Sequence, residues 1–190
     1  MHSIVMKYSH LIIAGVPKSF DLWESVDALQ PCYEGMNVED IQYDAYPAEC
    51  DEGEEAIVLF KYNESATGVD VVYSPFLQTL SLELSPWASE ADVILYASYI
   101  NGILKKHKRA RLYDKYAPLK ELTDEHVQKM IAERKAYLKR RLTKEKGFTM
   151  DGLNIGFTLL VEHLRPAISP DMQALELQQS FVKMQWEKEG

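Results

Sequence analysis

The chain has 190 residues, with 21 Lys+Arg against 29 Asp+Glu for a formal net charge of −8, 46% hydrophobic residues and two Cys. That length fits one large domain or two small ones, and this apolar content belongs to a packed core, which excludes collagen-like, low-complexity and disulfide-stapled chains. The opening Met-His-Ser-Ile-Val-Met-Lys-Tyr-Ser-His has no basic run leading into an apolar stretch, so no secretory signal is read. The apolar runs Leu11–Val16 and Val93–Ala97 are far shorter than the roughly 20 residues that cross a bilayer. Cys32 and Cys50 have no Cys-x-x-Cys partner and no neighbouring His, which suits structural thiols in a reducing cytosol. The glycosylation triplet Asn63-Glu64-Ser65 would matter only in a secreted protein and is discounted.

In chain order, Leu11 to Gly15 reads as a short strand. Ser19 then offers an N-cap for a helix over Phe20 to Leu29, with Leu22, Trp23, Val26 and Leu29 at helical spacing and Pro31 to stop it. Cys32 to Glu55 is turn-rich and acidic. Three strands are predicted at Ala56 to Tyr62, Val69 to Tyr73 and Leu77 to Leu84, the last alternating Leu80, Leu82 and Leu84 with Thr79, Ser81 and Glu83, which marks a half-solvated antiparallel sheet. Asn63 to Gly68 suits a hairpin and Ser74-Pro75 a second turn.

Ser85-Pro86 is a helix start signal, and the stripe Val93, Ala97, Ile100 and Leu104, widened by Ile94, Leu95, Tyr99 and Ile103, predicts a well-buried helix to Lys106. A second long helix is capped by Thr123 and runs to about Lys146, with Gly147 placed to end it. Its apolar side is narrow: Val127, Met130, Ile131, Tyr137, Leu138 and Leu142. Leu153 to Val161 alternates like a strand, while Leu159 to Leu164 would also suit a short helix. Ser169 and Pro170 open a last helix to about Lys188, carrying Met172, Leu175, Val182 and Trp186 on one side. Strands followed by helices, with no repeat or linker, predict a single α+β domain over 1–190: an antiparallel sheet from the N-terminal half packed with three or more helices from the C-terminal half.

Catalytic signatures are absent. Lys18-Ser19 between strand and helix lacks the glycines of a phosphate loop, since Pro17 and Ile12 stand at those positions and Pro17 has no N–H to give. His2, His10, His107, His126 and His163 are scattered without metal-ligand spacing, and Asp124-Glu125-His126 is explained by negative charge at a helix N-terminus. Carboxylates around Cys50 disfavour a thiolate there, and Cys32 reads as a buried structural thiol. The run Glu49 to Glu55 does not match a calcium loop and reads as a solvated acidic loop. No cofactor and no metal are expected.

Charge is distributed unevenly. Residues 1–104 hold 3 basic and 17 acidic side chains, a balance of −14; residues 105–146 hold 15 and 6, a balance of +9; residues 147–190 hold 3 and 6, a balance of −3. The two signs either neutralise each other in the fold or form two faces. The leading expectation is a small, soluble, non-catalytic binding protein engaging a protein partner through Glu49, Asp51, Glu52, Glu54, Glu55 and Tyr46, with Tyr33, Tyr43 and Trp23 nearby as further aromatics. Toxin-neutralising immunity proteins of bacteria share this small, acidic, motif-poor profile, an analogy of class alone. One alternative is an enzyme with a dispersed site using His10, His107 or His163. Another is anion contact through Arg134, Lys139, Arg140, Arg141 and Lys144 on the basic helix, although nucleic acid is disfavoured because no recognisable module accompanies the stripe.

Overall fold

The computed structural model describes residues 9–29, 43–145, 147–154, 156–160 and 170–187. Nine strands and three α-helices lie among them in the order β1 (Ser9–Ala14), β2 (Tyr43–Pro47), β3 (Glu55–Lys61), β4 (Val69–Ser74), β5 (Thr79–Leu84), α1 (Glu90–Lys106), β6 (Arg111–Asp114), β7 (Ala117–Leu119), α2 (Asp124–Lys144), β8 (Gly147–Asp151), β9 (Gly156–Leu160) and α3 (Pro170–Trp186). Seven strands form one antiparallel sheet ordered β2-β3-β4-β5-β1-β6-β7, and β8 pairs with β9 separately. The architecture is α+β. Five strands of the main sheet come from the N-terminal half, and the hairpin β6–β7, in a stretch that carries no clear strand pattern, extends it beyond α1.

Register puts the alternating apolar residues on one face. Leu11 pairs with Leu82, Ile13 with Leu80, Ile57 with Val71 and Val71 with Leu82, all buried. Helix α1 lies against this face with Val93, Tyr96, Ala97, Ile100 and Ile103, and the first half of α2 adds Val127 and Ile131 to the same core. A second, smaller core joins Leu138 and Leu142 of α2 to Phe148, Met150, Ala174, Leu177 and Phe181.

The start of α1 is fixed by Asp92, which is fully buried. Its carboxylate accepts N–H bonds from Ala66 (2.9 Å), Thr67 (3.0 Å), Gly68 (3.2 Å) and Ser89 (2.9 Å), so one side chain satisfies a helix cap and the β3–β4 loop together. Gly68 is required there: its φ is +70°, and a Cβ would lie 2.7 Å from Val58 Cγ1 and 2.9 Å from the Leu59 carbonyl oxygen.

Four local expectations are corrected. The predicted helix over Phe20 to Leu29 is a single 3-10 turn at Glu24–Ala28, because Asp21 Oδ1 accepts the Glu24 N–H (2.9 Å) and moves the start past Ser19. Helix α1 begins at Glu90: Ser85 is spent on a turn, accepting the Trp87 N–H through its hydroxyl (3.1 Å) and the Ala88 N–H through its carbonyl (3.1 Å), and Ser89 is the cap. Helix α2 stops with Glu145 extended, and Gly147 opens β8 rather than closing the helix. The buried stripe of α3 is Ala174, Leu177, Phe181 and Gln185, so Met172 and Leu175 are exposed. Of the two readings of the stretch after Leu153, residues 156–160 are a strand, and residues 161–169 fall outside the described set, as do Cys32, Tyr33, His163 and Ser169.

Candidate functional site

The acidic run is the connection between β2 and β3. Its ends are joined by the Ala48 N–H to the Ala56 carbonyl (2.9 Å), and its tip by the Glu54 N–H to the Asp51 carbonyl (3.1 Å). Gly53 takes φ +83°, the left-handed conformation this tip needs. Cys50, an exposed free thiol, donates to the Glu54 carbonyl at 3.3 Å. Glu49, Asp51, Glu52 and Glu55 are exposed and Glu54 half-buried, and among the described residues none of the five carboxylates makes an ion pair.

Tyr46 stands across from Val58 on the sheet face opposite α1, its ring 5.7 Å from Phe60. Phe60 is 5.0 Å from Tyr62 and 5.8 Å from Trp186, so the last turn of α3 covers part of this face. The Tyr62 hydroxyl donates to Asp44 Oδ2 at 2.8 Å. Of the other aromatics expected here, Tyr43 packs against the main core on the opposite face, and Trp23 is half-exposed in the 3-10 turn.

Cross-strand register builds a row that sequence alone cannot align: Tyr46, Val58, Asp70, Glu83 and His10 are successive neighbours across β2, β3, β4, β5 and β1. Asp70 and Glu83 are directly opposed. Asp70 lines a shallow concavity of about 340 Å³ with Glu83 and Ser81, and burial there, reinforced by the Glu83 charge, raises its pKa above the ordinary carboxylate value. The Tyr46 phenol is likewise pushed up, by burial first and by Asp70 second. His10 Nε2 lies 2.6 Å from Ser81 Oγ. The alternation of Asp70 with Val69 and Val71, and of Ser81 and Glu83 with Leu80, Leu82 and Leu84, marks the polar face; the pairing across strands comes from the fold.

Two arginines of the basic helix are absorbed into packing, while Lys129, Lys135, Arg140 and Lys144 stay exposed. Arg134 is 2% exposed, so it is not part of a basic surface. It donates to the Ser85 carbonyl (3.1 Å), the Leu84 carbonyl (3.2 Å), the Met130 carbonyl (3.3 Å) and Ser9 Oγ (3.1 Å), and burial lowers its pKa to about 10. Arg141 is half-buried beside Trp87, Tyr137 and Phe148, its guanidinium carbon 5.1 to 5.7 Å from the three ring centroids. Its Nη1 donates to Tyr137 at 3.0 Å, while Nε is 2.8 Å from Glu145 Oε2 as a charge contact without hydrogen-bond alignment. Lys139 pairs with Asp171 at 2.7 Å and Lys135 with Glu90 at 3.8 Å. Of the five residues read as an anion site, Arg140 and Lys144 remain exposed and unpaired among the described residues.

His10 and His107 do not converge, and His163 lies outside the described residues. His107 packs edge-on to Phe20 at 5.5 Å, and burial, then Lys106, lowers its pKa. His10 instead shares a groove of about 590 Å³ with His126, whose Nδ1 accepts the Thr123 N–H at 3.0 Å. A backbone N–H can only donate, so that nitrogen is unprotonated and the proton of a neutral ring sits on Nε2. His126 is thus the third-position member of the α2 capping box, where Glu or Gln is usual. Among the described residues no cluster of three His, Cys, Asp or Glu is placed to hold a metal, and no helix is long and apolar enough to cross a membrane. Comparisons with protein-family models, with curated proteins and with solved structures return no match.

Proposed function

We propose that this chain is a soluble cytoplasmic binding protein that engages a protein partner through its acidic surface, the β2–β3 turn with Tyr46 beside it. The observation that carries this reading is the charge of that turn, which no ion pair among the described residues offsets. Basic side chains of α2 pair with Glu90, Asp171 and Glu145 on the helices, and none reaches Glu49, Asp51, Glu52, Glu54 or Glu55. An unpaired acidic patch raises the encounter rate with a basic partner and excludes acidic ones, and an adjacent aromatic gives a contact worth burying. Neutralisation of a basic target by such a surface is the mode of action the immunity-protein analogy implies.

The test is capture of a partner by the wild type and by a Glu52→Gln, Glu54→Gln, Glu55→Gln variant, read across a salt series. Capture should weaken steeply with salt and be lost in the variant, whose thermal stability should change by less than about 0.5 kcal/mol because Glu52 and Glu55 are exposed and none of the three side chains makes an ion pair among the described residues. A partner held equally by both proteins would remove the acidic turn from the interface, and absence of any bound protein would sink the reading.

A further inference from the structure

The groove of about 590 Å³ that holds His126 lies between two walls. One is α2, where His126, Lys129, Met130 and Glu133 recur at positions i, i+3, i+4 and i+7 and so share a face. The other is the end of β6 and the hairpin turn after it, with Asp114 and with Lys115 at φ +56°. Asp114 stands opposite Leu11 across β6 and β1, so its side chain is on the core face of the sheet. Tyr96 registers that placement: burial raises the pKa of its phenol and, against the lowering pull of Arg134, Asp114 raises it further.

Each wall carries one cation and one anion, Lys129 and Glu133 on α2, Lys115 and Asp114 on the hairpin. None of the four makes an ion pair among the described residues, whereas Lys135, Lys139 and Arg141 further along α2 each pair with a carboxylate. The surrounding charges are engaged or offset. Arg134 donates to Ser9 Oγ from behind the groove at 3.1 Å, Lys120 and Glu121 oppose each other, and Asp124 and Glu125 stand in the first turn of α2 against the positive end of its dipole. His10 lines the groove from β1, but its Nε2 is 2.6 Å from Ser81 Oγ. His126 adds a donor: with Nδ1 held by the Thr123 N–H, its half-buried neutral ring offers Nε2–H.

We infer that this groove binds a small zwitterion with an apolar body, an apolar amino acid or a short apolar peptide. Its carboxylate meets Lys129 and the His126 Nε2–H, its ammonium meets Asp114 and Glu133, and its apolar part lies on Leu119, Leu122 and Met130. An anion alone would face the two carboxylates and a cation alone the two lysines; a ligand of both signs uses what each wall presents. The size falls in the range of roughly 300–1,000 Å³ common to small-molecule sites, whose usual form is a few polar groups converging on apolar surface. The site goes beyond the protein-binding reading and is independent of it, since the β2–β3 turn lies at the opposite edge of the sheet from β6 and β7.

The experiment is isothermal titration calorimetry of the full chain with L-leucine and with leucyl-leucine, beside forms that lack one charge: isoamylamine and isocaproate for the first, the C-terminal amide and the N-acetyl form for the second. At least one zwitterion should bind, and removing either of its charges should weaken it about tenfold or more, as loss of a charged hydrogen bond does. The tighter of the two zwitterions distinguishes amino acid from peptide. Lys129→Gln should weaken the zwitterion and leave the amine form unchanged; Glu133→Gln should weaken it and leave the acid form unchanged. Both side chains are exposed, so circular dichroism should find both variants folded. His126→Glu restores the usual capping-box residue and sets a carboxylate against that of the ligand, so it should remove binding without loss of helix. Absence of saturable binding by both zwitterions, equal affinity of a singly charged form, or indifference to Lys129→Gln and Glu133→Gln overturns the inference. The Glu52→Gln, Glu54→Gln, Glu55→Gln variant should bind as wild type does, and loss of binding there would move the site to the acidic turn and overturn it equally.

Discussion

The acidic turn and helix α2 begin as equivalent signals, each a dense run of one charge, and the fold treats them oppositely. The turn keeps its five carboxylates in solvent without an ion pair among the described residues, whereas α2 turns Arg134 inward, lays Arg141 over three aromatic rings and ties Lys135 and Lys139 to neighbouring helices. Side-chain length accounts for much of the difference. Arg and Lys carry long apolar stems that cover core surface while the charged head finds acceptors, but Asp and Glu on a hairpin tip have neither the reach nor a neighbouring surface to cover. A run of cations on a helix therefore overstates its basic surface by the arginines that turn inward, whereas the run on the β2–β3 turn stays at the surface.

The largest way to break this comparison is at Arg134. Arg134→Ala removes the donor for the Ser85, Leu84 and Met130 carbonyls and leaves a void between α2 and the sheet. A loss of about 3 kcal/mol or more is expected in urea unfolding, because each buried acceptor left alone costs on the order of 1–3 kcal/mol. Arg134→Lys should recover only part of it, since one ammonium cannot reproduce the guanidinium fork. A loss below about 0.5 kcal/mol for Arg134→Ala would place this residue on the surface after all.

A smaller effect is expected at Arg141. Its contacts with Trp87, Tyr137 and Phe148 are partly solvated, so Arg141→Ala should destabilise by about 1–2 kcal/mol, from cation–π contact together with lost stem packing. Arg141→Met keeps the stem and should separate the two contributions. If Arg141→Met and Arg141→Ala cost the same, the charge and not the packing holds the second core closed.

Much of this architecture is legible in the residues. The alternation of Leu80, Leu82 and Leu84 with Thr79, Ser81 and Glu83, the Thr123 cap and the Pro170 start all carry local physical signals that the fold respects, and the acidic turn is visible as a run. Long-range facts are not. That Asp92 would cap four N–H groups, three of them in the β3–β4 loop, that Arg134 would point inward from a run of cations, and that Glu55 and Phe76 would share one end of the sheet all depend on register between distant segments. The α3 stripe shows the local limit: Met172, Leu175, Val182 and Trp186 lie beside the stripe of Ala174, Leu177, Phe181 and Gln185, and only packing against α2 and Phe148 chooses between the two.

The smallest effect, and the one that sharpens the acidic side, is at Asp70. Its folded pKa is raised above the ordinary 3.8 by burial and by Glu83 opposite it. Between 3.8 and the folded value the native protein holds a proton that the unfolded chain has released, so stability falls as pH rises through that window. Asp70→Asn removes the titration. Compared with wild type at the same pH, the variant should gain stability as pH climbs from below 3.8 through the window and hold that gain unchanged at neutral pH, where both native and unfolded Asp70 are ionised. Because the side chain reaches solvent, the gain is small and salt should shrink the share of it that comes from Glu83. Urea midpoints of the two proteins across the acid range measure it, and Glu83→Gln should reduce the effect of Asp70→Asn. A difference between variant and wild type that is the same at every pH would mean that Asp70 is as freely solvated as the carboxylates of the β2–β3 turn, and the contrast between the sheet face and that turn would disappear.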